Sequence, residues 1–192
     1  NEIRGVFQTA NWKNLLWGLP KSSQLTPSET IVQTIFEMAE NRTGALIVFP
    51  GKDNLDRVIQ RGVAWGGRIS KEMLKTIFYH NNPVHDGAVI IEGDRVSDVA
   101  CILPLSERTD LPSQFGTRHR AAIGLAERTD SMIVVVSEER GRVTVVKNNT
   151  IDPMWQSVEL SRAIDQHLGK EKEKRWFQQE AFQLSLAGIL SL

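Results

Sequence analysis

Three short stretches of this sequence hold the side chains best suited to chemistry. In Pro83-Val84-His85-Asp86-Gly87-Ala88-Val89-Ile90-Ile91 an imidazole and a carboxylate meet a glycine just before an apolar run. Val89 to Ile91 read as the start of a buried strand, which puts His85 and Asp86 on a loop at the rim of a sheet. Gly87 lets the backbone approach a ligand closely. An aspartate before glycine commonly serves as a turn residue whose carboxylate bonds nearby backbone. Beside a histidine at a strand end it can instead hold a divalent cation that lowers the pKa of a hydroxyl and bridges phosphate oxygens. His85 alone is an ordinary structural hydrogen-bonder, and only the pairing raises it. The second stretch, Gly116-Thr117-Arg118-His119-Arg120-Ala121-Ala122, sets two guanidiniums and an imidazole where a loop becomes a helix. Its bland reading is an exposed basic first turn. Cations there oppose the helix dipole, however, and a bound anion would remove that penalty, because guanidiniums and free backbone N–H groups both suit phosphate oxygens. The third, Ser137-Glu138-Glu139, follows an apolar strand and projects from the same rim, either as a turn or as a hydroxyl and two carboxylates for phosphate and metal.

The elements that must position these groups follow from the apolar pattern. Thr26-Pro27-Ser28-Glu29 has the form of a capping box with proline at the first helical position, and Ile31, Val32, Ile35, Phe36, Met38 and Ala39 keep a helical period up to a stop at Asn41 to Gly44. Ala45 to Phe49 is a compact strand, Leu55 to Ala64 a possible extended piece, and Gly66-Gly67 a flexible point. Ser70 caps a helix with Met73, Leu74, Ile77 and Phe78 on its buried face. Ala88 to Ile91 and Val96 to Leu103 form a hairpin, Pro104 to Phe115 a loop, and Arg118 to Glu127 a helix. Met132 to Val136 and Arg142 to Lys147 make a second hairpin, and a helix is expected from Pro153 to Leu168 with Trp155, Val158, Leu160, Ile164 and Leu168 toward the core. The fold class is α/β or α+β, a central mixed sheet flanked by helices.

Composition removes several function classes. The chain has 192 residues, a formal net charge of +0, 41% hydrophobic and 24% charged residues, enough for about one globular domain and without the basic excess of a nucleic-acid coat. The single cysteine, Cys101, lies in an apolar run and reads as a buried structural thiol. Gly66-Gly67 lacks both a P-loop lysine and the dinucleotide fingerprint. No secretory signal opens the chain and no apolar run reaches a membrane span, so the chain as given is expected to be soluble. Asn1 to Trp17 mixes Ile3, Val6, Phe7, Trp12, Leu15, Leu16 and Trp17 with Arg4 and Lys13, as an amphipathic lead-in or juxtamembrane segment would. Lys170 to Arg175 is a charge run before an apolar tail ending at Leu192.

Asp86-Gly87-Ala88 and Arg118-His119-Arg120 resemble the two signature motifs of the diadenylate cyclase domain. The likeness continues through Leu103-Pro104-Leu105-Ser106, Thr129-Asp130-Ser131 and Val136-Ser137-Glu138-Glu139, in family order and spacing, and covers Thr26 to Leu168. Within the family the chain is similar to the membrane-bound CdaA type, in which a segment like Asn1 to Arg4 follows membrane helices. The resemblance implies three regions: a lead-in over 1–25, a cyclase domain over 26–168, and a charged linker with an apolar helix over 169–192.

It also implies synthesis of cyclic di-AMP from two ATP molecules, with release of two pyrophosphates, in a homodimer whose sites face each other. By motif, Asp86 helps activate the 3′-hydroxyl with a metal, Mn²⁺ or Mg²⁺, and His85 and Glu139 are its further candidate ligands. Gly87 and Ala88 line the nucleotide, Leu103 offers backbone groups to adenine, and Thr117, Arg118, His119, Arg120 and Ser137 hold phosphates with Glu138 close by. Ile102 stands where relatives often carry a tyrosine, so base stacking is expected to be weaker or supplied elsewhere. The second reading is a degenerate cyclase that binds ATP or a cyclic dinucleotide without turnover. Implied partners are ATP, a second copy of the chain and a YbbR-like regulator, separate or fused, but no nucleic acid; the full-length protein is expected at the cytoplasmic face of the membrane.

Overall fold

A computed structural model describes residues 26–60 and 62–169. The lead-in over 1–25 and the apolar segment after Gly169 therefore lie outside the described residues.

The chain order is α1 (Ser28–Glu40), β1 (Ala45–Phe49), β2 (Val63–Arg68), α2 (Lys71–Ile77), β3 (Ala88–Glu92), β4 (Arg95–Cys101), α3 (Thr117–Ala126), β5 (Met132–Val136), β6 (Val143–Lys147), β7 (Thr150–Met154) and α4 (Ser157–His167). The strands form one sheet in the order β2-β4-β3-β1-β5-β6-β7. β1 and β3 run parallel and the other neighbours antiparallel, so the sheet is mixed, as expected. β1 and β5 are buried along their whole length because the sheet is covered on both faces. Alternation divides β1 between two cores. Ala45, Ile47 and Phe49 face α1, α2 and α4 with Ile31, Ile35, Leu74 and Leu160. Leu46 and Val48 face α3 with Ile123, Leu125 and Ile133. Each large side chain buried this way contributes about 1.5–3 kcal/mol.

Several local expectations change. α1 begins at Ser28 with Pro27 as its N-cap and no side-chain cap, so the expected capping box from Thr26 to Glu29 does not form; the Ser28 hydroxyl donates to Asp165 Oδ1 at 2.7 Å. Leu55–Arg57 is a 3₁₀ turn capped by Asn54 rather than an extended piece. Gly66-Gly67 lies inside edge strand β2, where the register with β4 shifts between Ala64 and Gly67. Ser70 caps α2 as expected, accepting from Met73 N at 3.1 Å.

The largest miss is β7. Asn148 and Asn149 both have positive φ, 48° and 64°, the tight hairpin turn that returns the chain antiparallel to β6. Pro153 sits on the sheet edge, where its missing N–H costs no ladder bond, rather than opening a helix. α4 starts at Ser157 with a reciprocal capping box between Gln156 and Glu159. Trp155 and Val158 are consequently exposed, while Leu160 and Ile164 are buried as expected. Cys101 is a buried thiol outside any disulfide.

Candidate active site

Strand pairing brings the three chemical stretches to one rim. Ile47 pairs with Val89, Ala45 with Val136, Ala88 with Cys101, and Val136 with Val143. The starts of β1, β3 and β6 and the ends of β4 and β5 therefore share an edge. His85, Asp86 and Gly87 lead into that edge, Ile102 and Leu103 leave it, and Ser137 to Glu139 turn over it.

Gly87 has φ +104°, and a Cβ there would lie 2.8 Å from Ala100 C and Cys101 O, so this position admits only glycine without a shift. The crowding coincides with a bulge: Ala88 faces Cys101 while Ile90 faces Asp98, and Ala100 takes φ 54°. Such bulges redirect strand ends at sheet rims. Asp86 is exposed and, among the described residues, has no hydrogen-bond or ion-pair partner. His85 is half-buried, and its Nδ1 lies 2.7 Å from the Asn82 carbonyl. A carbonyl only accepts, so Nδ1 carries the proton in this bond, and Nε2 has no hydrogen-bond partner among the described residues.

Across the rim, α3 starts at Gly116 with no side-chain cap and no acidic residue in its first turn, leaving amides for an anion. Thr117, Arg118 and His119 line a pocket of about 180 Å³ together with Ser137, Glu138 and Glu139. Arg118 Nη1 donates to Glu138 Oε2 at 2.7 Å, and this pair passes so close to Gly44 that a Cβ there would lie 2.7 Å from the carboxylate. His119 is buried and stacks on Phe115 with ring centroids 4.5 Å apart. Burial holds its pKa below the usual imidazole value, against an opposing pull from Glu139. Ser137 Oγ accepts from Arg140 N at 3.3 Å, which leaves its hydroxyl hydrogen free to donate.

Arg120 does not share this pocket: its Nη1 donates to the carbonyls of Ser106 and Arg108, each at 3.4 Å. Ile102 exposes its side chain and spends both backbone groups on Gln60. Leu103 is buried, and its backbone has no partner among the described residues. Ala88 is buried at the start of β3.

The carboxylates of Asp86 and Glu139 match the donor chemistry of a hard divalent cation, which commonly takes one or two protein carboxylates and completes its shell with phosphate oxygens and water, and His85 adds a softer nitrogen donor. Among the described residues, no group of three His, Cys, Asp or Glu converges as a metal site. His85, Asp86 and Glu139 are thus separate donors on one rim. The signal missed in the sequence was Gly44, legible only as the end of α1 until pairing set it under Arg118 and Glu138.

A family model described as "DAC: DisA bacterial checkpoint controller nucleotide-binding" matches residues 32–151. The chain is 35% identical over 161 residues to the cyclic di-AMP synthase CdaA of Bacillus subtilis, covering 82% of this chain and 59% of that protein. It is 42% identical over 123 residues to a diadenylate cyclase of Listeria monocytogenes, covering 64% and 45%. It thus spans about half of the curated relatives it matches. Among solved structures, DacA from Staphylococcus aureus, a double mutant, superposes with a TM-score of 0.70 at 36% identity over 73% of this chain and 93% of that one. A hypothetical membrane spanning protein from Bacillus cereus gives 0.66 at 38% identity, over 70% and 67%.

Proposed function

The chain belongs to the diadenylate cyclase (DAC) family, and on that premise we propose that it condenses two ATP molecules into cyclic di-3′,5′-AMP with release of two pyrophosphates. The observation that carries the reading is the shared rim, where an unpartnered Asp86 and the open amino end of α3 meet at one sheet edge.

The residues divide the work. Thr117, Arg118, His119 and Ser137 hold phosphates at the start of α3, with Glu138 keeping Arg118 in place until a stronger anion arrives. His119 gives the phosphates a hydrogen bond from the wall of the pocket. Gly87 and Ala88 bring bare backbone against the nucleotide, and Leu103 meets the adenine edge with its unspent backbone groups. Asp86 faces the 3′-hydroxyl of the ATP on the second chain and draws off its proton. The 3′-oxygen then bonds the α-phosphorus, and the bond to the pyrophosphate oxygen breaks in line, the leaving group taking the electron pair. His85, Asp86 and Glu139 would each offer a donor to Mn²⁺ or Mg²⁺, which would supply charge neutralisation and lower the pKa of the hydroxyl.

Cyclisation needs this attack twice, so two rims must face each other and a lone chain is incompetent. In the full-length protein we place the domain at the cytoplasmic face of the membrane, beside a YbbR-like regulator. Among the described residues, no helix is long and apolar enough to cross a membrane.

Incubating the chain with ATP and Mn²⁺ or Mg²⁺, and resolving products by chromatography and mass spectrometry, tests the reading. Cyclic di-AMP is the expected product. ATP binding without product would favour a nucleotide sensor, the reading to which the exposed Ile102 contributes.

A further inference from the structure

Arg118 and Arg120 sit in one motif but cannot aim at one ligand. Two residues along an α-helix turn the side chain through about 200°, so the two guanidiniums leave α3 on opposite sides. Arg118 enters the phosphate pocket. Arg120 points to the segment that follows Leu103. It binds that segment three times: its own carbonyl accepts from Ser106 N at 3.0 Å, and its Nη1 donates to Ser106 O and Arg108 O. Ser106 is buried, so its carbonyl needs such a donor.

Two further contacts close the clamp. The Ser106 hydroxyl donates to Glu127 Oε1 at 2.7 Å. α3 packs bare backbone on this segment at Gly124, where a Cβ would lie 2.2 Å from Pro104 O and 2.6 Å from Ser106 N. One helix thus carries the phosphate pocket on one side and grips the loop beside Leu103 on the other.

From this geometry we infer that Arg120 is a positioning residue for the base: it fixes the Leu103–Arg108 segment to the phosphate-binding helix and makes no phosphate contact of its own. The inference rests on the nucleotide reading above, in which Leu103 meets adenine. Arg120 then sets the distance between the base subsite and the phosphate subsite, and its loss affects ligands only in proportion to how much base they carry.

The test compares two probes, ATP as its 3′-deoxy analogue, which lacks the attacking hydroxyl and cannot cyclise, and inorganic tripolyphosphate, by titration calorimetry with Mg²⁺, on the wild type, Arg120→Ala and Arg118→Ala. With the hydrogen bonds to the base displaced, Arg120→Ala is expected to weaken ATP by about 10-fold while tripolyphosphate changes by less than about 2-fold. Arg118→Ala is expected to weaken both. Equal losses of ATP and tripolyphosphate in Arg120→Ala, or no loss of ATP, would overturn the inference. Should Arg120→Ala not fold, Ser106→Ala decides: it frees the same segment from Glu127, with an expected loss of about 3-fold for ATP alone, and equal or absent losses count against the clamp. Binding is read without turnover, so a wild type that binds ATP but makes no cyclic di-AMP would fail the cyclase reading and leave this split legible.

Discussion

The two ends of the sheet use the same kinds of groups in opposite ways. At the end where β1 leaves the sheet, Asp130 accepts from Lys52 N and Asp53 N at 2.8–3.0 Å, and its own N–H donates to Asp53 Oδ2 at 2.9 Å. His167 Nε2 donates there to the carbonyls of Phe49 and Pro50 at 2.9 and 3.1 Å. Aspartate, histidine and backbone amides satisfy one another, and the end is a knot. At the other rim Asp86 and His85 Nε2 have no partner among the described residues, and the amides at the start of α3 have no side-chain cap. Polar groups that fold a protein are spent on one another; groups meant for a ligand are held in position and left unspent.

Substitutions can break this contrast, beginning with the largest effect. Asp86→Asn should cost about 10²–10⁴-fold in product formation, the range for losing a positioned base, with the melting temperature unchanged. A wild-type rate would remove Asp86 from the chemistry. Gly87→Ala should reduce both stability and rate: the methyl meets backbone, and the overpacking and strained φ cost about 1–3 kcal/mol. Circular dichroism melts and turnover should fall together. At the knotted end, Asp130→Ala should lower stability by about 1 kcal/mol, the net value of hydrogen bonds at a largely solvated site, and leave ATP affinity alone; a change in affinity would mean that the two ends are coupled.

The smallest effect is on pH. Burial lowers the pKa of both His119 and His167, so the folded state binds fewer protons than the unfolded chain. Their contribution is full above the ordinary histidine pKa of about 6.5 and is lost as pH falls through the lowered folded values. Melting temperature should drop on acidification below that point, and His167→Gln should flatten part of the drop.

Much of this arrangement was legible before folding. Unbroken apolar runs at 45–49, 88–91 and 132–136 marked strands buried on both faces, and ionisable residues at their ends marked the rim. What escaped depends on tertiary context. Pro153 signals a helix start as well as it signals an edge strand, and only pairing with Thr144 decides between them. α1 takes Pro27 rather than Thr26 as its N-cap, and Ser28 bonds Asp165, far along the chain. Arg120 shows the reverse: the helical period already separated it from Arg118, but the motif as a unit hid the difference.

If chemistry occurs between two open rims, specific activity must depend on dilution. With ATP and metal saturating, cyclic di-AMP formed per chain should fall as the protein is diluted, because each rim needs a partner. A specific activity that stays constant as the chains separate into monomers would contradict the account.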